Sequence, residues 1–136
     1  MPRKAIYGFH RGQFNIYVPL PAGTGLVESV TDMVPGFDFV VEKVTAHVAI
    51  AGTGAGATRV LNILKGASTV VATATVTLAD TATVGVLKAF TTTAANAKFL
   101  DADTLSVEWP TAGAVAFTAG AIVLTVHYRS LPQREA

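Results

Sequence analysis

Apolar side chains recur at every second position through most of this chain, the period of a strand with one buried face. In GQFNIYVPL, Phe14, Ile16, Val18 and Leu20 fall on one face and Asn15, Tyr17 and Pro19 on the other. Pro19 cannot donate to a ladder, so it marks an edge or a strand end. The longest extended stretch is FDFVVEKVTAHVAIA, residues 37–51. Its second half alternates Val44, Ala46, Val48 and Ile50 against Thr45, His47 and Ala49, but Phe37, Phe39 and Val41 have the opposite parity. One extra residue near Glu42 and Lys43, a β-bulge, reconciles the halves on one sheet face. GTGAGA, residues 52–57, then reads as a flexible loop.

TRVLNILKGASTVVATATV, residues 58–76, has two readings. Val60, Leu61, Ile63 and Leu64 have helical spacing, but such a helix would end within about two turns at Gly66, below the usual length. A strand over 59–65, a turn at Lys65-Gly66-Ala67-Ser68 and a returning strand over 69–78 use each residue in its preferred role, with Val70, Ala72, Ala74 and Val76 facing the core. The pattern therefore predicts a hairpin. Further strands are expected at 26–31, at VGVLKAFT (84–91), at TLSVEW with Leu105, Val107 and Trp109 on one face, and at GAIVLTVHYR with Ile122, Leu124, Val126 and Tyr128 alternating against Val123, Thr125, His127 and Arg129. TAANAKFLDAD, 93–103, reads as a loop, and no segment predicts a helix.

About eight short strands separated by turns predict an all-β chain: a single antiparallel β-sandwich, jelly-roll-like, with an extended N-terminal arm. The expected organisation is an arm over 1–12, a sandwich over 13–130 and a tail over 131–136. The single Trp109 is expected to anchor the core between the sheets.

Composition narrows the chemistry. The 23 alanines and 18 threonines sit mostly after residue 44, and threonine and valine favour extended chain. With 51% hydrophobic and 14% charged residues, no apolar run reaches the length that spans a bilayer, and His10, Arg11 and Gln13 cut short any secretory apolar region. The absence of cysteine removes disulfides, thiolate nucleophiles and cysteine-held metal centres, and fits cytosolic synthesis. A formal charge of +1 with dispersed Lys and Arg disfavours nucleic acid as the main partner.

Candidate motifs are weak. GTGAGA lacks the lysine and hydroxyl of a phosphate loop, and Gly56 comes one residue early for a dinucleotide fingerprint. Of His10, His47 and His127, the last two could meet if their strands were neighbours, but a zinc site needs three or four ligands. Asp101 and Asp103 are spaced as in calcium loops, but they are better read as bonding backbone amides in a turn. Asp80, Asp101, Asp103 and Glu108 show no spacing that pairs two of them for glycoside hydrolysis, and Ser29, Ser68, Ser106 and Ser130 form no nucleophile elbow. The expectation is a non-enzymatic chain with no metal and no cofactor.

RVLNILKGASTVVATATVTLADTATVGVLKAF, FLDADTLSVEWPTAG and GAIVLTVHYRS together resemble small virion proteins of tailed bacteriophages, over about residues 38–130. In that style an apolar strand ends in a Lys/Asn-Gly turn, an acidic turn precedes a strand, and a strand like LTVHYR lies near the C-terminus. A free-standing sandwich of this size is most similar to a capsid decoration, or cement, protein. The resemblance implies a homotrimer on the capsid surface that bridges major capsid subunits, made in the host cytoplasm, with neither nucleic acid nor membrane as partner. Independently, the N-terminal residues read as an attachment segment: Tyr7, Phe9, Phe14 and Tyr17 as anchors, and Arg3, Lys4, His10 and Arg11 beside them as polar and basic contacts. The alternative for this segment is that Phe14 onward is only a core strand. The alternative function is a receptor- or glycan-binding module of a head fibre, tail or baseplate.

Overall fold

The alternating segments fold as strands in a computed structural model that describes residues 10–23, 25–55, 58–110 and 117–132. In chain order these are β1 Arg11–Pro19, β2 Val27–Met33, β3 Phe39–Gly54, β4 Thr58–Lys65, β5 Thr69–Thr77, β6 Leu87–Ala89, β7 Thr91–Thr92, β8 Lys98–Phe99, β9 Leu105–Trp109 and β10 Phe117–Ser130. One α-helical turn, α1 Leu78–Thr81, follows β5. The strands form two antiparallel five-stranded sheets. Sheet A has the order β1-β10-β3-β6, with β8 also on β3; sheet B has the order β2-β9-β4-β5-β7. Their inner faces share one apolar core, a β-sandwich, in which Val44, Val48, Leu124 and Val126 of sheet A meet Leu61, Ile63, Val107 and Trp109 of sheet B.

The expected bulge is present. β10 pairs His127 with Lys43 and Tyr128 with Val41, leaving Glu42 as the extra residue, so Phe39 and Val41 stay on the same buried face as Val44 and Ala46. The ambiguous 58–76 stretch is the hairpin β4–β5, turning at Gly66 in the left-handed region (φ +67°) that glycine adopts without a Cβ clash. A second bulge lies in this hairpin: Ile63 pairs with Ala72 and Leu64 with Val70. Val71 is therefore the buried residue and Val70 is not, which corrects the expectation for Val70. Ile50 is likewise displaced, because a shift beside Ala49 turns it out to 53% exposure.

GTGAGA is a loop only in part. β3 continues through Gly54, held by pairs from Gly54 to Phe117 and from Thr53 to Ala119. The extra length requires two backbones to pass closely: a Cβ on Gly120 (φ +121°) would lie 2.7 Å from the Cα of Gly52 and 2.6 Å from Leu20 Cδ1.

The expected strand over 84–91 divides at Phe90, where the chain crosses from one sheet to the other. Ala89 pairs with Thr45 of sheet A, Thr91 pairs with Thr73 of sheet B, and the buried Phe90 donates its N–H to the Val44 carbonyl at 2.9 Å. Residues 93–99 continue the seam, with Thr93 N–H on the Val71 carbonyl, Asn96 Nδ2 on the Val70 carbonyl, and Val41 N–H on the Ala97 carbonyl. The short β6, β7 and β8 raise the strand number from the expected eight to ten among the described residues, and they close one flank of the sandwich. β1 and β2 are the terminal strands on the opposite flank. The region expected to hold no helix contains α1, one turn set by a capping box in which Thr77 Oγ1 accepts the Asp80 N–H and Asp80 Oδ2 accepts the Thr77 N–H.

Candidate functional site: the β1 flank and its groove

β1, on one flank of the sandwich, carries three of the residues expected to bind a partner, Arg11, Phe14 and Tyr17. Arg3, Lys4, Tyr7 and Phe9 lie outside the described residues. His10 is exposed and anchored to β10: its N–H donates to Ser130 Oγ at 3.2 Å and its carbonyl accepts the Ser130 N–H at 2.8 Å. β1 begins at Arg11, so residues 11 and 12, assigned to the arm from sequence, belong to the sheet. Phe14 faces inward, edge-on to Phe39 at 6.3 Å and tilted on Tyr128 at 5.9 Å, whereas Tyr17 faces outward with 56% exposure. The two aromatics read together in sequence thus serve opposite faces.

Register fixes what the outer edge of β1, unpaired among the described residues, offers. Bonds at His10–Ser130 and Leu20–Gly120, with an unshifted ladder between them, make the even-numbered residues of β1 the hydrogen-bonded partners of β10. Antiparallel geometry then turns the backbone N–H and C=O of Arg11, Gln13, Asn15 and Tyr17 away from β10. Pro19 closes the row because it has no N–H.

The outer face of sheet A is divided by charge. At one end Arg11 lies directly opposite Arg129, and Glu42, freed by the bulge, spans both: Oε1 is 3.1 Å from Arg11 Nε and Oε2 is 3.7 Å from Arg129 Nε. Lys43 is next in line. Beyond it the rows Asn15–Thr125–Thr45–Ala89 and Tyr17–Val123–His47–Leu87 contain no permanent charge, and Leu87 is 70% exposed. His47 and His127 are on neighbouring strands, as their meeting required. Yet His47 pairs with Val123, four positions from His127, which puts the rings about 13 Å apart along the sheet.

At the charged end, a groove opens between β1 and the 33–38 segment. Its apolar half is a cavity of about 330 Å³ walled by Phe14, Met33, Val34, Phe37 and Tyr128. Phe37 also walls a second cavity of about 250 Å³ that contains Asp38, Asp101 and Ser130. Asp38 Oδ1 accepts the Asp101 N–H at 2.8 Å, which draws the two acidic residues together across 63 positions of sequence. The Asp101 carboxylate accepts no hydrogen bond from a described residue. Asp103 instead caps its own turn, accepting the Leu100 N–H at 2.8 Å, as the local spacing implied. Sequence reasoning flagged Asp101 within LDADTL but had no signal for Asp38, which comes close only through the pairing of β8 with β3.

At the other end of the core Arg59 is buried and holds two loops. Its Nη1 donates to the Gly23 carbonyl, and its Nη2 to the carbonyls of Gly25 at 2.9 Å, Pro110 at 2.7 Å and Trp109 at 3.3 Å. Burial pushes the guanidinium below its ordinary pKa. Arg59 Nε and Trp109 Nε1 are buried and have no hydrogen-bond partner among the described residues. Among the described residues no three His, Cys, Asp or Glu side chains are grouped to hold a metal ion, and no helix is long and apolar enough to cross a membrane.

No known protein family, curated protein or solved structure matches the chain.

Proposed function

We propose that the chain is a structural protein of a tailed-phage particle, non-enzymatic, that sits on the capsid surface as a homo-oligomer, with a trimer expected, and bridges major capsid subunits. The observation that carries this reading is the β1 flank. A strand whose outer edge is unpaired among the described residues follows directly on the basic and aromatic segment Arg3–Phe9, and it borders a sheet face with two rows free of permanent charge. Such a face loses little desolvation energy on contact, and edge backbone groups fix the register of an added strand. We read the connectivity as a jelly roll, since successive strands alternate between sheets except at the β4–β5 hairpin, and the last strand inserts beside the first, in the orders β1-β10-β3-β6 and β2-β9-β4-β5. That architecture recurs in viral capsid proteins and in lectins, so it supports particle assembly only as an analogy.

Removing residues 1–9 leaves β1 intact and tests the reading directly. Binding of this variant to empty capsid shells is expected to fall by at least tenfold in cosedimentation, and unchanged binding would remove the segment from the contact. Imaging of intact particles should place the protein on the outside of the head.

A glycan-binding module is the second reading, and the half-exposed Phe37 and Tyr128 rings at the groove favour it. Of the other aromatics after residue 40, Phe90, Phe99, Trp109 and Phe117 are buried, so little stacking surface is left. Calorimetric titration against a glycan panel separates the two readings: saturable binding that is lost with Phe37→Ala supports the module, and a silent panel removes it.

A further inference from the structure

The groove at the β1 end has two chemically distinct halves, and one segment of this chain matches both. The acidic half offers Asp38 and the exposed Asp101, whose carboxylate accepts no hydrogen bond from a described residue; the apolar half offers the half-buried rings of Phe14, Phe37 and Tyr128 and the 58%-exposed Val34. Residues 2–9, PRKAIYGF, contain two cations, Arg3 and Lys4, followed two to five residues later by Ile6, Tyr7 and Phe9. The two cavities share the Phe37 wall, so a separation of two or three extended residues, about 7–10 Å, spans from one to the other. We propose that the groove receives residues 2–9 of a neighbouring copy of this chain, with Arg3 and Lys4 against Asp38 and Asp101 and the bulky apolar side chains against Phe37 and Val34.

Two features favour a neighbour over the same copy. His10 is bonded through both backbone groups to Ser130, so at residue 10 the direction of β1 is set along its ladder with β10, toward the end of sheet A. Nine extended residues reach about 30 Å, far enough for an adjacent molecule. A segment that fits a groove on the next molecule is also a heterologous contact, each copy giving one segment and receiving one. Contacts of that kind close into rings when the rotation permits, and a trimer is the smallest such ring above a pair. The inference rests on the homo-oligomer proposed above and names the surface that builds it.

The test needs no capsid. Asp101 is exposed, so Asp101→Lys leaves the fold in place, which an unchanged thermal midpoint verifies. Sedimentation velocity of the full chain over about 1–200 µM is expected to show a closed oligomer. Asp101→Lys alone and Arg3→Glu with Lys4→Glu should each weaken self-association by at least tenfold. The variant combining all three substitutions should associate at least threefold more tightly than either parent variant, because the new cation at position 101 then faces the new carboxylates while Asp38 keeps its charge. A wild-type chain that stays monomeric overturns the proposal, as do single variants that associate normally or a combined variant no better than its parents. Self-association that fails while shells are still bound removes this inference and leaves the capsid reading standing; charge-swap rescue without shell binding does the reverse.

Discussion

Replacing Arg59 with Met is expected to destabilise the fold by about 2–4 kcal/mol while leaving the core volume nearly unchanged. Arg59 enters β4 as a buried residue on the face it shares with Leu61, yet its guanidinium reaches four carbonyls in two separate loops, Gly23 and Gly25 on one side and Trp109 and Pro110 on the other. Hydrogen bonds from a charged donor are worth about 1.5–3 kcal/mol each when a partner is deleted. Against them stands the cost of taking the guanidinium out of water, several kcal/mol. This same cost lowers its pKa. The carbonyls belong to loops and can regain water once the donor is gone, so the net loss is well below the gross sum. For a chain of 136 residues the difference corresponds to a fall in Tm of roughly 6–16 °C. Urea unfolding should show a lower midpoint with an unchanged slope. The geometry also predicts that Arg59→Lys loses most of the same stability, because one ammonium cannot span carbonyls that the planar fork reaches from two nitrogens. An Arg59→Met variant within about 0.5 kcal/mol of wild type would refute the clasp. An Arg59→Lys variant equal to wild type would show that charge alone matters.

Three further outcomes follow from single contacts. Burial opposes ionisation of Asp80, but the Lys88 ammonium at 2.8 Å and the Thr77 N–H and hydroxyl outweigh it and hold the carboxyl below its usual value. Its contribution is thus present above the unfolded value of about 3.9 and lost as pH falls through the lower folded value, so the stability gap to Asp80→Ala, about 1–2 kcal/mol at pH 7, should close in unfolding curves taken below pH 4. Gly120→Ala should lose about 2–4 kcal/mol, since a Cβ at φ +121° meets Gly52 backbone that cannot swing aside; a melt unchanged within 2 °C would contradict this close approach. Leu87→Glu, placed in the row without permanent charge, should leave the melting temperature within about 2 °C of wild type and weaken capsid binding, which equal cosedimentation of the two proteins would disprove.

The strand pattern was legible wherever alternation was local. β1, the β4–β5 hairpin, β9 and β10 follow directly from period two, and even the Glu42 bulge could be placed because the parity of Phe39 and Val41 conflicts with that of Val44 and Ala46. What failed to show was whatever depends on the choice made by a partner strand, near or far in sequence. Val71 displaces Val70 from the core because Leu64 pairs with Val70 itself, a register choice made by the other strand. The 84–91 strand divides because Val44 and Thr73, on different sheets, each claim part of it. Arg59 carries no local signal of its role, since nothing near it in sequence announces the carbonyls of residues 23, 25, 109 and 110. The groove was hidden for the same reason: Asp38 and Asp101 are brought together only by β8.

The asymmetry of the two flanks decides where another chain can pair. On one flank, residues 87–99 cross between the sheets and cover both edges with their own hydrogen bonds. On the other, β2 is the terminal strand of sheet B, and its ladder with β9 is broken by shifts around Val30 and by Asp32 at φ +52°, which turns that edge away from a regular partner. β1 has neither defence. Its ladder is unshifted over nine pairs, and only Arg11 and Pro19 guard its ends. The row that remains between them, Gln13, Asn15 and Tyr17, is long enough to register an incoming strand and too short to template a long one. A pairing chain must therefore draw the rest of its binding energy from side chains. At one end of this row that means the Asp38–Phe37 groove, and at the other the exposed Tyr17, Leu87 and Ile50. Substitutions at both ends should consequently act cooperatively on binding, whereas those on the closed flank should act only through stability.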